Sequence, residues 1–316
     1  MDSSIHVASD GTQVHCYRWN TKADPRALIH IAHGMGEHAL RYDWVAQKLN
    51  QAGYEVTAND HRGHGRTANT LGDFGEDGWN RAISDLHEIL QQLKSSHPGL
   101  PLILFGHSMG AMMSQQYIAR YGDTIDAVVL SGSPGAGHRF QMWLVHVIAR
   151  FERWRLGDRG ESVLLQKLLF GGNNRDFDED GASGYEWLSR DEQQAQAYMQ
   201  DPLCGFVPCP MSLCDLFAAE RNSWKAESVA GIPAGLRAYL FSGSADPVHN
   251  GMKNINRLLE CYADHGMHIS TRFYAGGRHE MLNETNRDEV IRDVISWLDS
   301  LPSHAGHAYR HLDHAP

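Results

Sequence analysis

The segment 106–110, which reads Gly-His-Ser-Met-Gly, constrains this chain of 316 residues more than any other feature. It follows the apolar run 102–105 directly, and a helix-compatible run at 111–121 comes after it. A buried strand that runs into such a turn and then into a helix holds the serine in a strained conformation with its hydroxyl exposed. The alternative is a chance glycine-rich turn, so the remaining sequence has to decide between the two.

The alternation of apolar runs with helical patterns predicts an α/β fold with a mostly parallel, eight-stranded sheet flanked by helices. We expect strands at 3–8, 12–18, 27–33, 54–59, 101–106, 126–132, 236–242 and 268–275. We expect helices at 39–52, 76–96, 109–121, 250–263 and 287–300. Asp10-Gly11 joins the first two strands and is typical of a hairpin, which predicts an antiparallel edge.

This alternation breaks between Gly135 and Gly235, where no convincing core strand occurs. Helical patterns at 140–155, 161–169 and 190–200 predict a helical insertion over the sheet. We therefore assign residues 1–135 and 236–302 to the α/β core and residues 136–235 to a helical cap. Residues 303–316 are rich in His and Ala and are predicted to form a disordered tail.

Composition and charge exclude several classes of protein. A net charge of −10 argues against nucleic acid and against strong adsorption to anionic membranes. No apolar run is long enough to span a membrane, and no secretory signal is visible. The cysteines are few and odd in number, which favours reduced thiols and a cytoplasmic setting. They are Cys16, Cys204, Cys209, Cys214 and Cys261.

A serine hydroxyl needs an imidazole to take its proton and a carboxylate to orient that imidazole. Strand 236–242 runs into a turn that contains Asp246, and strand 268–275 runs into a glycine loop that contains His279. The carboxyl ends of parallel strands meet at one edge of the sheet, so we expect both side chains to reach Ser108. Alone, each could be an ordinary turn residue. Glu280 is an alternative acid, but it is adjacent to His279.

Amide donors for an oxyanion are expected at two places. One is Met35, in the turn 33–38 after strand 27–33, and the other is Met109, directly after Ser108. The turn 33–38 could otherwise be a flexible loop or half of a phosphate-binding turn. The chain contains neither a Gly-x-Gly-x-x-Gly continuation nor a Walker lysine, so we expect no cofactor.

The segment 59–67 brings Asp60, His61 and His64 together, and it could be mistaken for a metal site. Its glycines and Arg62 favour a tight structural loop in which Asp60 and Arg62 form an internal ion pair. A thiol or metal cluster of the three cysteines at 204–214 is the other alternative, but their spacing is not that of a zinc finger. We therefore expect no bound metal.

Taken together, these motifs make the chain resemble α/β-hydrolases of the monoacylglycerol lipase and lysophospholipase group, which grade into serine aminopeptidase-like hydrolases. The resemblance covers roughly residues 5–300. Its motifs are the segments 33–38, 60–65, 106–110, 244–248 and 277–280, with 187–191 and 201–206 in the cap. The resemblance implies Ser108 as nucleophile, Asp246 as acid and His279 as base, with Met35 and Met109 at the oxyanion hole. Thr67 departs from the family pattern, in which a serine often stands there.

The resemblance implies an ester hydrolase that forms an acyl-enzyme on single-chain acyl esters such as monoacylglycerols or lysophospholipids. Short-chain esters and amide or peptide bonds are the alternatives, and a non-catalytic binder is disfavoured. We expect a small acyl-ester lipid as the partner, with at most transient contact between the cap and a lipid surface. The residues expected to contact substrate are Gly34, Trp143, Ile148, Phe151 and Trp187.

The cap helix predicted around 142–156 has an apolar and aromatic face. Its pattern favours a face buried on the core sheet. The other interpretation is a helix that lines an acyl tunnel or touches lipid.

Overall fold

A computed structural model describes residues 1–22, 24–177 and 182–302, and these contain one eight-stranded sheet. The strands are β1 (Asp2–Val7), β2 (Gln13–Trp19), β3 (Ala27–Ala32), β4 (Tyr54–Asn59), β5 (Leu102–His107), β6 (Ala127–Ser131), β7 (Arg237–Gly243) and β8 (His268–Tyr274). Each lies within about two residues of its predicted position. The predicted tail at 303–316 lies outside the described residues.

The strand order in the sheet is β1-β2-β4-β3-β5-β6-β7-β8. The pairs β1–β2 and β2–β4 are antiparallel, and every other neighbouring pair is parallel. The prediction of a mostly parallel α/β fold with an antiparallel edge is confirmed. Because β5 lies between β3 and β6, its carboxyl end opens at the middle of one sheet edge.

Strand β5 is buried along its whole length because helices cover both faces of the sheet. Leu102 and Leu104 point into one hydrophobic layer, and Ile103 and Phe105 point into the other. The first layer contains α2 (Gly78–Ser96), α3 (Met109–Tyr121) and α9 (Lys253–Asp264). The second contains α1 (Asp43–Gln51) and α10 (Arg287–Asp299).

Five helices between β6 and β7 form the cap: α4 (Arg139–Leu156), α5 (Val163–Leu169), α6 (Glu192–Gln200), α7 (Pro210–Ser223) and α8 (Ala226–Val229). Helix α7 is absent from the sequence prediction. It starts with Pro210 in its first turn, a common helix start, and it buries Leu213, Leu216 and Phe217. Helix α7 packs against α4 and joins the cap to the core.

The interpretation that α4 buries its aromatic face on the core sheet is wrong. Helix α4 packs on α7 through a face that includes Ile148 and the fully buried Ala149. Its large aromatic side chains lie on the opposite side, where Trp143 is 46% exposed, Phe151 52% and Trp154 79%. The helix has two apolar faces, and the face with the smaller side chains is the one that approaches a neighbouring helix closely.

Among the described residues, no helix is both long enough and apolar enough to cross a bilayer.

Candidate active site

Ser108 lies in the sharp turn between β5 and α3, with backbone angles of φ 50° and ψ −112°. Non-glycine residues rarely adopt such a positive φ, so the surrounding structure must hold Ser108 there. A Cβ atom on Gly106 would collide with the carbonyl oxygen of Gly110, and one on Gly110 would collide with that of Ala32. The strand and the helix can approach this closely only because both positions are glycine.

His279 and Asp246 reach Ser108 from the loops after β8 and β7. His279 Nε2 lies 2.9 Å from Ser108 Oγ. On the other side of the ring, Nδ1 lies 3.0 Å and 3.1 Å from the two carboxylate oxygens of Asp246. The three residues predicted from the sequence therefore form one continuous hydrogen-bonded line.

Two further donors fix the Asp246 carboxylate. The hydroxyl of Ser242 donates to Oδ2 at 3.0 Å, and the backbone amide of Val248 donates to Oδ1 at 2.9 Å. Burial raises the pKa of Asp246, but His279 and the hydrogen bonds lower it further, and the net shift is downward. Asp246 is therefore ionised at neutral pH, as the orienting carboxylate must be.

His279 is buried, and its pKa is shifted upward. Burial lowers the pKa of the imidazole, but the charge of Asp246 and its hydrogen bond raise the pKa more. In the neutral ring, Nδ1–H donates to Asp246 and Nε2 is free to accept the hydroxyl proton of Ser108. This tautomer is the one that a general base requires.

The cap holds the loop that carries His279. The amide of His279 donates to the carbonyl of Trp187 at 3.2 Å, and the amide of Glu280 donates to the carbonyl of Leu188 at 2.7 Å. The Trp187 ring also packs on the His279 ring with centroids 5.0 Å apart. Cap residues thus hold the backbone of the His279 loop and also pack on its ring.

Met35 and Met109 both lie on the wall of the cavity beside Ser108. Met109 is the first residue of α3, so its amide has no acceptor within the helix. The amide of Gly34 donates to Glu37 Oε1 at 2.5 Å and is therefore already occupied. A Cβ on Gly34 would contact the Cβ of Ser108 at 3.3 Å, which leaves little room for any residue but glycine.

An ion-pair network closes the cavity next to this loop. Arg41 donates to Glu280 at 2.8 Å and 2.7 Å, and it donates to Glu37 at 2.6 Å. Burial raises the pKa of Glu37, but the charges of Arg41, His107 and His33 and the hydrogen bond from Gly34 together lower it further, to about 2. Glu280, the alternative acid, is thus bonded to Arg41 instead of His279. The sequence prediction missed Arg41, which lies 239 positions from Glu280.

The cavity above Ser108 has a volume of about 230 Å³ and a mostly apolar wall. Its apolar lining residues include Met112, Met142, Leu169, Phe170, Leu216, Phe217 and Val248. Of the residues expected to contact substrate, Gly34 and Trp187 line this cavity. Trp143, Ile148 and Phe151 do not belong to its wall. Ile148 packs against the core, and the two aromatic residues face outward on α4.

The segment 59–67 is a structural loop, but its predicted ion pair is wrong. Arg62 binds Asp85 at 2.6 Å and Asp10 at 2.7 Å. Asp60 instead accepts hydrogen bonds from the hydroxyl of Tyr17 at 2.8 Å and from two backbone amides. Asp85 and Asp10 lie far from Arg62 along the chain, so the sequence pattern around Arg62 does not indicate that they bind it.

Thr67, which stands where related proteins often have serine, stabilises this loop. Its hydroxyl donates to the carbonyl of Asp60 at 2.8 Å, so the substitution concerns the loop and not the hydrogen-bonded line at Ser108. Burial lowers the pKa of His61 and of His64, the latter to about 3. These imidazoles are therefore neutral at physiological pH.

One group of side chains has a spacing that could suit a metal ion. Ligand atoms of His38, Asp201 and Cys204 all lie within 4.8 Å of one another. His38 and Asp201 already share a hydrogen bond of 2.8 Å, and burial raises the pKa of the Cys204 thiol. A protonated thiol is a poor ligand, so the group is better explained as a hydrogen-bonded contact between the cap and the core.

Comparison with known proteins agrees with this geometry. A sequence model of the family described as serine aminopeptidase, S33, matches residues 23–286. The chain is 30% identical to a monoacylglycerol lipase of Mycolicibacterium smegmatis, over 89% of this chain and 91% of that protein. It is 36% identical to human monoglyceride lipase, over 96% and 92% of the two chains. A thermostable carboxyl esterase from Bacillus coagulans, solved with glycerol, superimposes with a TM-score of 0.87 at 26% identity, covering 95% of this chain and 98% of that one.

Proposed function

The chain belongs to the serine aminopeptidase S33 family of α/β hydrolases, and we propose that it hydrolyses esters of single acyl chains, monoacylglycerols foremost. The observation that carries this proposal is the line from Ser108 through His279 to Asp246, with 2.9 Å and 3.0 Å between the bonded atoms. This line opens into an apolar cavity, which suits an acyl chain.

The first half of the reaction forms an acyl-enzyme. His279 Nε2 takes the hydroxyl proton as Ser108 Oγ attacks the ester carbonyl carbon. The amides of Met35 and Met109 hold the negative charge that develops on the carbonyl oxygen. His279 then gives its proton to the leaving alcohol oxygen as the ester C–O bond breaks.

The second half returns the enzyme to its starting state. A water molecule takes the place of the alcohol, and His279 removes one of its protons as the water oxygen attacks the acyl carbon. When the new tetrahedral intermediate collapses, the proton passes to Ser108 Oγ and the fatty acid leaves. Asp246 stays ionised throughout and stabilises the imidazolium each time it forms.

Two features favour monoacylglycerol as the substrate. The cavity wall includes apolar side chains such as Leu216 and Phe217, which suit an acyl chain, and it also includes Glu37 and Tyr198, which could hold a polar alcohol. The two relatives named above are lipases of monoacylglycerol or monoglyceride. Lysophospholipids share the single acyl chain and are the second candidate. The likeness to a carboxyl esterase keeps short esters as a third.

The outward aromatic face of the cap suits brief contact with a lipid surface. Phe140, Trp143, Phe151 and Trp154 are exposed along α4, and Val163 is exposed on the cap helix α5. Exposed apolar patches of this kind are typical of interaction surfaces. With a net charge of −10, the protein should favour dispersed or uncharged lipid over anionic bilayers.

The experiment that tests the proposal is an assay of monoacylglycerols, lysophospholipids and short esters of graded acyl length. Ser108→Ala serves as the control, and an amide of each acid is assayed in parallel. We expect turnover of the monoacylglycerols by the wild-type protein, with loss by a factor of about 10⁴ or more in the variant. Preference for the amides, or equal rates with Ser108→Ala, would reject the proposal.

A further inference from the structure

The cap end of the cavity carries a buried carboxyl group that the hydrolytic mechanism does not use. Glu220 on α7 is 4% exposed and belongs to the cavity wall. Leu216 and Phe217 lie one turn before it on the same helix and line the same cavity. Glu220 therefore places a carboxyl group beside the apolar side chains that α7 contributes to the cavity wall.

The hydrogen-bonding capacity of Glu220 is only partly used within the chain. Its Oε1 accepts from Trp224 Nε1 at 2.8 Å. Its Oε2 is buried without a hydrogen-bond partner among the described residues, which also offer Glu220 no ion pair. A buried acceptor without a hydrogen-bond partner loses its interaction with water and gains nothing in return, so a ligand group that bonds to this oxygen is favoured.

A second unsatisfied group lies close by. The hydroxyl of Tyr262 on α9 is buried and has no partner among the described residues either. The Trp224 and Tyr262 rings are 6.4 Å apart. Of the two unsatisfied groups, only Glu220 belongs to the cavity wall.

The electrostatics agree that this place is isolated from counter-charges. Burial raises the pKa of Glu220 to about 7, against a smaller lowering by the Trp224 hydrogen bond. Burial also raises the pKa of Tyr262, and charge on Cys261 and on Glu220 adds to the shift. A neutral polar group is therefore a better partner for Glu220 than a cation, and the described residues offer Glu220 no ion pair.

We propose that Glu220 is a specificity-determining residue that selects esters whose acyl chain carries a hydroxyl group away from the carbonyl. The proposal rests on the ester hydrolysis proposed above. A substrate hydroxyl in the cavity can donate to the unsatisfied oxygen of Glu220. An unsubstituted chain of equal length leaves that oxygen unsatisfied, and a site of this kind discriminates strongly against it.

The test compares kcat/KM for a graded series of monoacylglycerols, each paired with its analogue hydroxylated at the end of the acyl chain. At the chain length that reaches Glu220, we expect the wild-type protein to favour the hydroxylated ester by about tenfold or more. Glu220→Met should abolish this preference, because it keeps the size of the side chain and removes its oxygens. Glu220→Gln should retain a preference, because its amide still bonds to a hydroxyl.

The controls separate recognition from structure. Glu227→Met changes a glutamate whose side chain is 80% exposed on α8 and should leave the ratio as in the wild type. Tyr262→Phe removes a buried hydroxyl outside the cavity wall and should also leave the ratio unchanged. If Glu220→Met does not fold, the wild-type ratio still tests the proposal, because equal kcat/KM for both esters at every chain length overturns it. A purely structural role of Glu220 would lower both rates equally and leave their ratio unchanged.

Two negative results have different meanings. If wild-type protein cleaves the esters but shows the same ratio as Glu220→Met at every length, the selection of hydroxylated chains is overturned. If it cleaves no ester of either series faster than Ser108→Ala, the proposed function itself fails.

Discussion

Buried carboxylates occur at two ends of the same cavity, and their surroundings differ sharply. At the catalytic end, which contains Asp246, Glu37 and Glu280, each carboxylate is bonded to an imidazole or a guanidinium. At the cap end, Glu220 has one hydrogen bond from an indole and no ion pair among the described residues. Burial is comparable at both ends, so the partners decide the charge of each carboxyl group.

This difference indicates that the catalytic end is preorganised for the reaction and that the cap end can recognise a ligand. The catalytic end has satisfied its own polar groups, which fixes His279 and the loop beside Ser108 before substrate arrives. The cap end leaves one carboxyl oxygen of Glu220 without a hydrogen-bond partner, and a ligand can supply the donor. Four substitutions and one labelling experiment sharpen or break this distinction.

The largest effect is expected from Asp246→Asn, which removes a charge from the catalytic end. The asparagine no longer stabilises the imidazolium or the required tautomer, so kcat/KM should fall by a factor of about 10⁴. Asp264→Asn, at the exposed end of α9, is the matched control and should leave the rate unchanged. Loss of less than tenfold in Asp246→Asn would show that this carboxylate is not part of the machinery.

Arg41→Met tests how much the ion pairs at the catalytic end contribute to the free energy of unfolding. It leaves Glu37 and Glu280 buried without their counter-charge, so the free energy of unfolding should drop by about 3–5 kcal/mol. Arg26→Met removes an exposed ion pair with Asp299 and should cost about 1 kcal/mol or less. Equal losses in urea unfolding of the two variants would contradict the comparison.

Glu220→Gln tests the unpaired state at the cap end. Because the pKa of Glu220 is raised to about 7, the folded protein keeps a proton that the unfolded chain releases above pH 4.5. The free energy of unfolding therefore declines as the pH rises from about 4.5 to about 7. The contribution of Glu220 to this decline is roughly 3 kcal/mol. The glutamine variant should lack this decline when unfolding is measured at about pH 5 and about pH 8. Parallel pH dependence in both proteins would mean that Glu220 does not titrate there.

Sequence patterns were sufficient to predict the sheet and to bring together Ser108, His279 and Asp246, because both predictions depend on local signals. The central strands are short apolar runs between turn residues, and each of the three residues follows a predicted strand. The pairing of Arg41 with Glu280 and of Arg62 with Asp85 was not predicted, because these partners come from other elements of the chain and several acidic residues compete for each arginine.

The cap was predicted less well for two physical reasons. Helix α7 alternates small, thiol and charged side chains, so its apolar stripe is weak although Pro210 and Leu213 were visible signals. Helix α4 has two apolar faces, and a sequence does not state which of them a neighbouring helix will cover. The tertiary contact with α7 decided that, and it left Trp143 and Phe151 outside.

The smallest effect is expected from Trp154→Ser on the outward face of the cap. Its side chain is 79% exposed, so the variant should unfold within about 0.5 kcal/mol of the wild type. Turnover of emulsified monoacylglycerol should fall by a few fold as lipid contact is lost, while that of a dissolved short ester stays constant. A drop of equal size for both substrates would exclude a role at the lipid surface.

The most direct test of the central claim is labelling by an organophosphonate, followed by intact mass at a series of pH values. We expect a single organophosphonate adduct on Ser108 of the wild-type protein and no adduct on the Ser108→Ala variant. Because the pKa of His279 is shifted upward from 6.5, the labelling rate should already be falling as the pH drops through neutrality. No adduct on the wild-type protein, or a rate that stays flat from about pH 8 to about pH 4.5, would contradict the claim that His279 activates Ser108.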